Sequence, residues 1–172
     1  TTPTNGEQAR KVVYLGSLIP TQGGITFIEA LGVLARRRVD FTAEVVGRGP
    51  LEDAMKRRAV VLGIADRVTF HGFVADDQEV AAILASASVG VAAYDPNVES
   101  FTRWADPGKL KNYIGAGLPI VLTDVPPNAR ELAAEGVAEL VEYDPADIAG
   151  AITRVVDSPG EFQRRRESAL RY

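Results

Sequence analysis

The chain has 172 residues, of which 46% are hydrophobic, and it carries a formal net charge of -4 with a single histidine and no cysteine. This length and apolar content are typical of one globular domain, and the acidic balance argues against nucleic acid as a partner. The lack of cysteine excludes a disulfide framework and a thiolate metal site, and one histidine excludes a His-rich metal cluster.

The chain also lacks the sequence features of a membrane-spanning or exported protein. No apolar run approaches the roughly 18 to 20 residues needed to cross a bilayer, and the N-terminus has no charged region followed by an apolar core. We therefore expect a cytoplasmic protein that meets a membrane at most peripherally. Because the chain begins without methionine and ends in a predicted helix, we expect it to be part of a longer chain, with residues 1–10 as a flexible lead-in.

Short apolar runs alternate with amphipathic stretches along the whole chain. Strands are predicted at residues 11–16, 41–47, 67–72, 89–94, 119–123 and 138–142. Helices are predicted near residues 24–37, 50–62, 77–86, 107–116, 127–134, 145–157 and 158–172. The alternation predicts an α/β fold in a single domain over residues 1–172: a Rossmann-like, doubly wound parallel sheet of six strands with helices on both faces.

The first candidate loop is GSLIPTQGG, from Gly16 to Gly24, after the first strand. Ligands of doubly wound sheets bind beyond the carboxyl ends of the strands. Glycines let the backbone approach a ligand closely, and the next helix directs free amides to the same place. The loop lacks the Gly-x-Gly-x-x-Gly and Gly-Lys-Ser/Thr patterns. A plain strand-to-helix turn explains its composition equally well.

Two further segments follow the second and third strands. In GRGPLED, from Gly47 to Asp53, Arg48 lies between two glycines and either reaches a phosphate or is solvated. His71, on or just past the third strand, is interpreted as a packing or hydrogen-bonding residue and not as a catalyst.

The stretch ADPGKLKNYIGAGLPIVLTD raises the strongest expectation of a ligand. Pro107, Gly108 and Lys109 start a predicted helix, where free amides, the positive end of the helix dipole and a cation suit a bound anion. The loop before this helix has about a dozen residues, a length usually associated with function or disorder. Trp104 in that loop either anchors it or belongs to an acceptor or partner surface.

These segments, taken in order, resemble a known family. GSLIPTQGG, VVGRGPLEDAMKRRAVVLGIADRVTFHGFV, ASASVGVAAY and ADPGKLKNYIGAGLPIVLTDVPPNAR are similar to the C-terminal, nucleotide-sugar-binding domain of family 4 (group 1) retaining glycosyltransferases with the GT-B fold. The match covers about residues 11–157. It implies one half of a GT-B fold, a nucleotide diphosphate sugar as donor, and no cofactor or required metal. It also implies a partner N-terminal domain of the same chain, which supplies most of the acceptor site.

The resemblance also implies a set of nucleotide- and diphosphate-binding residues. By position they are Gly16, Ser17, Gln22, Gly23, Gly24, Gly47, Arg48, Gly49, Phe73, Val74, Pro107, Gly108, Lys109 and Asn112. Phe73 and Val74 would flank the base, and the helix start at residues 107–109 would meet the pyrophosphate. No catalytic residue is assigned.

The sequence departs from the family at its charged positions. Ser17 and Gln22 stand where the family usually has an arginine and a lysine that clamp the diphosphate. Asn112 aligns with a glutamate that binds ribose, and Glu99 is a loose match for a second glutamate that contacts the donor sugar. Lys109 is placed to restore part of the missing positive charge.

Two functions follow from this pattern. The first is a hexosyltransferase that moves a sugar to a hydroxyl acceptor, in which the isolated domain is inactive because the acceptor half is absent. The second is a catalytically degenerate binding or scaffolding module. A weaker third alternative is half of a GT-B epimerase or phosphorylase, since fold alone does not fix function. The base, sugar, acceptor and oligomeric state stay open.

Overall fold

The computed structural model describes residues 10–99 and 108–172. Its strands are β1 (Lys11–Leu15), β2 (Thr42–Val46), β3 (Val68–Gly72), β4 (Val89–Ala92), β5 (Ile120–Thr123) and β6 (Ala138–Val141). Its helices are α1 (Gly24–Arg36), α2 (Glu52–Val61), α3 (Asp77–Ala85), α4 (Gly108–Gly115), α5 (Ala129–Ala134), α6 (Pro145–Asp157) and α7 (Pro159–Arg171). Every predicted strand has a counterpart here.

The six strands form one parallel sheet in the order β3-β2-β1-β4-β5-β6. The chain runs outward from β1 to β3, returns to place β4 beside β1, and then runs outward in the other direction. The strand order therefore reverses between β1 and β4, and ligands of such sheets bind at this switch point. The topology confirms the predicted Rossmann-like, doubly wound sheet.

Apolar side chains fill a layer on each face of the sheet. Buried residues of α1, α2 and α6 pack on one face, and those of α3, α4, α5 and α7 on the other. Strand β1 shows how alternation serves both layers, because Val12 and Tyr14 join the first cluster and Val13 the second. All residues of β4 and β5 are buried, as expected for parallel strands covered on both faces.

Tyr113 of α4 holds the ends of β1 and β4 at the switch point. Its ring packs against Gly90, where a built Cβ atom would lie 2.9 Å from the ring carbons. Its hydroxyl accepts a hydrogen bond from the Leu15 amide at 2.9 Å and donates one to the Val91 carbonyl at 3.0 Å. The hydroxyl thus bridges the two strands where they separate, and it fixes the position of α4.

Most elements begin or end within two residues of the predicted bounds, and the structure explains two of these differences. Strand β4 stops at Ala92 and not at residue 94, because the next backbone segment turns to the first loop, where the Asp95 amide bonds the Thr21 carbonyl at 3.2 Å. Helix α2 starts at Glu52 and not at residue 50. The Leu51 amide is held by the Leu18 carbonyl at 3.0 Å, so Pro50 lies in the turn before the helix.

Candidate functional site

The loops after β1 and β2 are in direct backbone contact. The Leu18 amide bonds the Arg48 carbonyl at 3.0 Å, and a Cβ atom built on Gly47 would lie 1.9 Å from the Gly16 carbonyl oxygen. Gly47 also has a φ of +139°, which other residues rarely adopt. Glycine is required here for both reasons, and the contact joins two loops that the sequence assigned to the nucleotide.

The end of the first loop is fixed against the segment after β4. Gly23 has a φ of +68°, and a Cβ atom on it would lie 1.8 Å from the Ala93 carbonyl oxygen. Gly24 begins α1, and a Cβ atom there would lie 2.7 Å from Met55 Sδ. The predicted glycines therefore bring the N-terminus of α1 close to the switch point.

Tyr14, the fourth residue of β1, holds the first loop in place through hydrogen bonds to its backbone. Its hydroxyl lies 3.2 Å from the Ser17 carbonyl and 3.0 Å from the Gln22 carbonyl, and it donates to these two acceptors. Burial is the main cause that raises the pKa of Tyr14 above its ordinary value, so the hydroxyl keeps its proton. The Tyr14 hydroxyl thus holds the backbone of Ser17 and Gln22, the two loop residues that depart from the family pattern.

A cleft of about 380 Å³ opens between these loops and the segment after β3. Six of the predicted binding residues line it: Gly16, Ser17, Gly47, Arg48, Phe73 and Val74. Phe73 is 64% exposed, and the guanidinium carbon of Arg48 lies 5.1 Å from its ring centroid. The cleft therefore has a cation and an aromatic ring at one side and the glycine-containing loops after β1 and β2 at the other.

Lys109, at the start of α4, is buried and only 9% exposed. Its Nζ atom lies 4.8 Å from the ring centroid of Tyr14 and 4.9 Å from that of Tyr94. The amine also takes the space that a side chain at Gly16 would need, since a Cβ atom built there would lie 2.7 Å from Nζ. The glycine of the first loop and the lysine of α4 therefore form one contact.

The Lys109 amine has no hydrogen-bond acceptor or carboxylate partner within the described part of the chain. Burial lowers the pKa of Lys109 to about 7. The sequence predicts a cation beside the helix amides, and the structure adds that this lysine is buried. The tertiary fold desolvates the ammonium, and near neutral pH the amine is divided between its charged and neutral forms.

Ser17 and Gln22, which stand where the family has its arginine and lysine, lie near the same point. A Cβ atom built on Gly16 would be 3.6 Å from Gln22 Oε1 as well as 2.7 Å from Lys109 Nζ. Ser17 follows Gly16 directly and lines the cleft. Gln22, Ser17 and Lys109 are thus grouped around Gly16.

The structure does not bring every predicted residue into this group. Glu99 is exposed near the end of the described segment, and no described hydrogen bond or ion pair joins it to the others. Asn112 lies on the exposed side of α4. Gly49 packs against the Leu18 backbone, below the cleft. Pro107 and Trp104 lie outside the described residues, whereas Gly108 is the exposed first residue of α4.

Sequence reasoning missed three tyrosines that shape the site. Tyr14 and Tyr94 flank Lys109, and Tyr113 bridges β1 and β4. In the sequence all three are part of apolar patterns, which predict only core packing. The signal that was available is the tyrosine near the end of VVYLG and of VGVAAY, two strands that a doubly wound order places side by side.

Away from this group, His71 on β3 lies 3.2 Å from Glu44 on β2, in agreement with its interpretation as a hydrogen-bonding residue. Between residues 10 and 99 and between 108 and 172, no cluster of three or more His, Cys, Asp or Glu is placed to hold a metal ion. In the same ranges no helix has the length and apolar character needed to span a membrane.

The family model described as glycosyl transferases group 1 matches residues 9–158. The chain belongs to the group 1 glycosyl transferases. This membership and the fold confirm the resemblance seen in the sequence, and the domain is a Rossmann-like half of the GT-B type.

Individual proteins are similar over most of the chain. A GDP-mannose-dependent alpha-(1-6)-phosphatidylinositol dimannoside mannosyltransferase of Mycobacterium tuberculosis is 30% identical over 154 residues, which cover 90% of this chain and 37% of that protein. An Anabaena protein, Alr3699/HepE, in complex with UDP superposes with a TM-score of 0.77 at 20% identity, over 95% of this chain and 43% of the other. The catalytic domain of a cholesterol-alpha-glucosyltransferase from Helicobacter pylori gives 0.75 at 21% identity, over 94% of each chain. The chain thus spans well under half the length of the mannosyltransferase.

Proposed function

We propose that this chain is the donor-binding half of a retaining glycosyltransferase that moves a hexose from a nucleotide diphosphate sugar to a hydroxyl acceptor. The observation that carries the proposal is the buried amine of Lys109 at the start of α4, which lies against Gly16 and has no counter-charge in the part of the chain that the structure describes. Family membership supports a donor site at this end of the sheet.

In this proposal the nucleoside occupies the cleft of about 380 Å³. Phe73 and Val74 flank the base, and Arg48 offers a planar set of donors at the rim. The diphosphate lies over Gly16, where the backbone of the first loop approaches it closely because no side chain intervenes. Ser17 and Gln22 supply hydrogen bonds in place of the two cations that are usual in the family.

Catalysis by such a site consists of stabilising the diphosphate as it leaves. Negative charge grows on the leaving group, and amides at the start of α4 together with protonated Lys109 are positioned to offset it. A charge-assisted hydrogen bond contributes roughly 1.5 to 3 kcal/mol, so one lysine replaces part of the missing clamp. No metal is required in this scheme.

The acceptor half is proposed to lie outside this chain, because the chain covers 37% of the mannosyltransferase relative. That relative is named as GDP-mannose-dependent, whereas the Anabaena protein was crystallised with UDP. Guanine and uracil nucleotides are therefore the first donors to compare. We expect this chain to bind a donor nucleotide and to be inactive in transfer without its acceptor half.

A second candidate function is a binding or scaffolding module without turnover. It is favoured by Ser17, Gln22 and Asn112, which remove charge at three positions of the family pattern. Both candidates predict nucleotide binding, so binding alone does not separate them.

The test is turnover by the full-length gene product with GDP-mannose, UDP-glucose, ADP-glucose and dTDP-glucose. The transferase proposal predicts release of nucleotide diphosphate from one donor and a product whose anomeric configuration, read by NMR, equals that of the donor. Binding of a donor without hydrolysis or transfer would support the module. Inversion at the anomeric carbon would contradict the retaining mechanism.

A further inference from the structure

Within residues 10–99 and 108–172, the surroundings of the Lys109 amine contain aromatic rings but no counter-charge. Tyr14 approaches it from β1 and Tyr94 from the segment after β4. The first loop contributes Gly16 and Gln22, which are uncharged. On α4 itself Lys111 is exposed, and Tyr113 is engaged with the backbone of β1 and β4.

Ring faces attract a cation, but they do not take the place of water or a carboxylate. A buried ammonium with neither solvent nor a hydrogen-bond acceptor loses its proton more readily than a solvated one. An anion that enters beside Gly16 reverses this balance, because it supplies the missing acceptor and the missing charge.

We propose that a nucleotide diphosphate sugar binds together with one proton, which Lys109 takes from solvent as the diphosphate reaches its amine. The step forms one N–H bond on the Nζ lone pair and breaks no bond in the protein or the donor. Lys109 is then a proton-coupled anion ligand, and Tyr14 and Tyr94 position its amine. This inference rests on the proposed function.

The coupling has a defined pH range. Burial sets the pKa of Lys109 at about 7 in the ligand-free chain, and the bound diphosphate raises it. Below pH 7 the amine is already protonated, so affinity is nearly constant and little proton is taken up. Above pH 7 affinity falls about tenfold per pH unit, until the pH reaches the pKa of the complex.

The probe has to be a nucleotide sugar, because its two phosphates are esterified and do not titrate in this range. A free nucleoside diphosphate has a terminal phosphate with a pKa near 6, which would add its own proton. His71 is the one histidine of the chain, and it lies away from Lys109, 3.2 Å from Glu44. A His71→Gln variant therefore serves as the control for protons that do not come from Lys109.

The experiment is calorimetric titration of the chain with GDP-mannose and with UDP-glucose at pH 6 and pH 8, at each pH in two phosphate-free buffers whose ionisation enthalpies differ. We expect an uptake of about 0.9 proton at pH 8 and about 0.1 at pH 6 in the wild type and in His71→Gln. Lys109→Arg keeps a permanent charge, so it should bind without uptake.

Three results would overturn the inference. Binding without proton uptake at pH 8 overturns it and leaves the proposed function intact. Uptake that persists in Lys109→Arg assigns the proton to another group and has the same effect. If neither donor binds at either pH, the proposed donor site and the coupling both fail.

A second measurement does not depend on a variant that folds. In chain labelled with ¹³C at lysine Cε, the Lys109 resonance is expected to titrate near pH 7 without ligand and at a higher pH with saturating donor. A Lys109 midpoint near 10 in the free chain would contradict the inference.

Discussion

Two regions of this protein contain partly or fully buried charged side chains, and they differ in whether those charges are paired. Between β6, α6 and α7, Glu139 meets Arg154 at 2.5 Å and Arg165 at 3.5 Å, and Glu161 meets Arg165 at 2.8 Å. At the switch point Lys109 is buried with no carboxylate among the described residues. Paired charges stabilise the packing of these elements against one another. A buried charge without an opposite charge indicates a site where a ligand binds.

If the largest volume defined the site, the groove between α6 and α7 would be chosen in place of the cleft beside Gly16. The groove lined by the α6–α7 charges has about 650 Å³ and the cleft beside Gly16 about 380 Å³. The charged side chains that line the larger groove, such as Glu139 and Arg165, are already engaged with one another. A buried amine without an opposite charge among the described residues, and not volume, distinguishes the candidate site from this groove.

The largest expected effect is a loss of folding stability when Gly47, a glycine of the candidate site, is replaced. In Gly47→Ala the new Cβ atom would lie 1.9 Å from the Gly16 carbonyl oxygen at a φ of +139°. We expect a loss of roughly 3 kcal/mol or more in the free energy of unfolding, measured by urea denaturation. Gly160→Ala in α7, which meets open space, should change stability by less than about 1 kcal/mol. Equal effects would contradict the tight loop contact.

The next effect is a pH-dependent change in stability, which is expected for Lys109 but not for the paired charges between β6, α6 and α7. The folded-state pKa of Lys109, about 7, lies below the ordinary 10.5, so the folded chain binds fewer protons than the unfolded chain between these values. The cost of the buried amine is fully present below pH 7 and disappears as pH rises toward 10.5. Lys109→Met should stabilise the ligand-free chain at pH 6 by up to about 5 kcal/mol, because the pKa falls from 10.5 to about 7 and each pKa unit corresponds to about 1.4 kcal/mol.

The control for this pH profile is Arg154→Met, which removes a cation that is matched by Glu139. It should destabilise the chain slightly and show no such gain at pH 6. Thermal melts at pH 6, 8 and 10 measure both variants. A Lys109→Met variant that is less stable than the wild type at pH 6 would show that the amine is not desolvated as described.

A smaller effect is expected at the rim of the cleft. Phe73 is 64% exposed and lies beneath Arg48, so its removal should affect ligands more than folding. Stacking of a base on an aromatic ring contributes about 1 to 3 kcal/mol, and Phe73→Ala should weaken nucleotide binding roughly 5- to 100-fold. Phe73→Tyr, which keeps the ring, should bind as the wild type does. A Phe73→Ala variant with unchanged affinity would remove Phe73 from the base site.

The smallest effect is expected in the matched cluster. Glu139→Gln weakens contacts to partly exposed arginines, and such pairs contribute about 0.2 to 1 kcal/mol each. We expect a loss of roughly 1 kcal/mol in urea denaturation that shrinks at high salt. Nucleotide affinity should not change, and a loss of affinity would show that the two regions are coupled.

The fold could be predicted because each element carries a local signal. The fully buried β4 and β5 are continuous apolar runs, and α1 has apolar residues at helical spacing. The end of β4 was missed, since the turn at Asp95 depends on a hydrogen bond to Thr21 from a distant loop. Local patterns fix the elements, and long-range backbone contacts fix their ends.

The candidate site could be predicted only in part. Gly16, Gly47 and the residues after β3 line one cleft as expected, because they follow neighbouring strands. The burial of Lys109 could not be predicted, since it results from Tyr14, Tyr94 and Gly16 meeting across the switch point. A sequence shows a lysine at a helix start, but the fold decides whether water reaches it.

The most direct measurement is calorimetric titration of the chain with GDP and UDP at pH 7, for the wild type, Lys109→Met and Arg154→Met. We predict that one nucleotide binds, that Lys109→Met weakens it roughly 10- to 150-fold through loss of a charge-assisted contact, and that Arg154→Met leaves it unchanged. Equal binding by the wild type and Lys109→Met, or equal losses in both variants, would contradict the claim that the unmatched lysine marks the donor site.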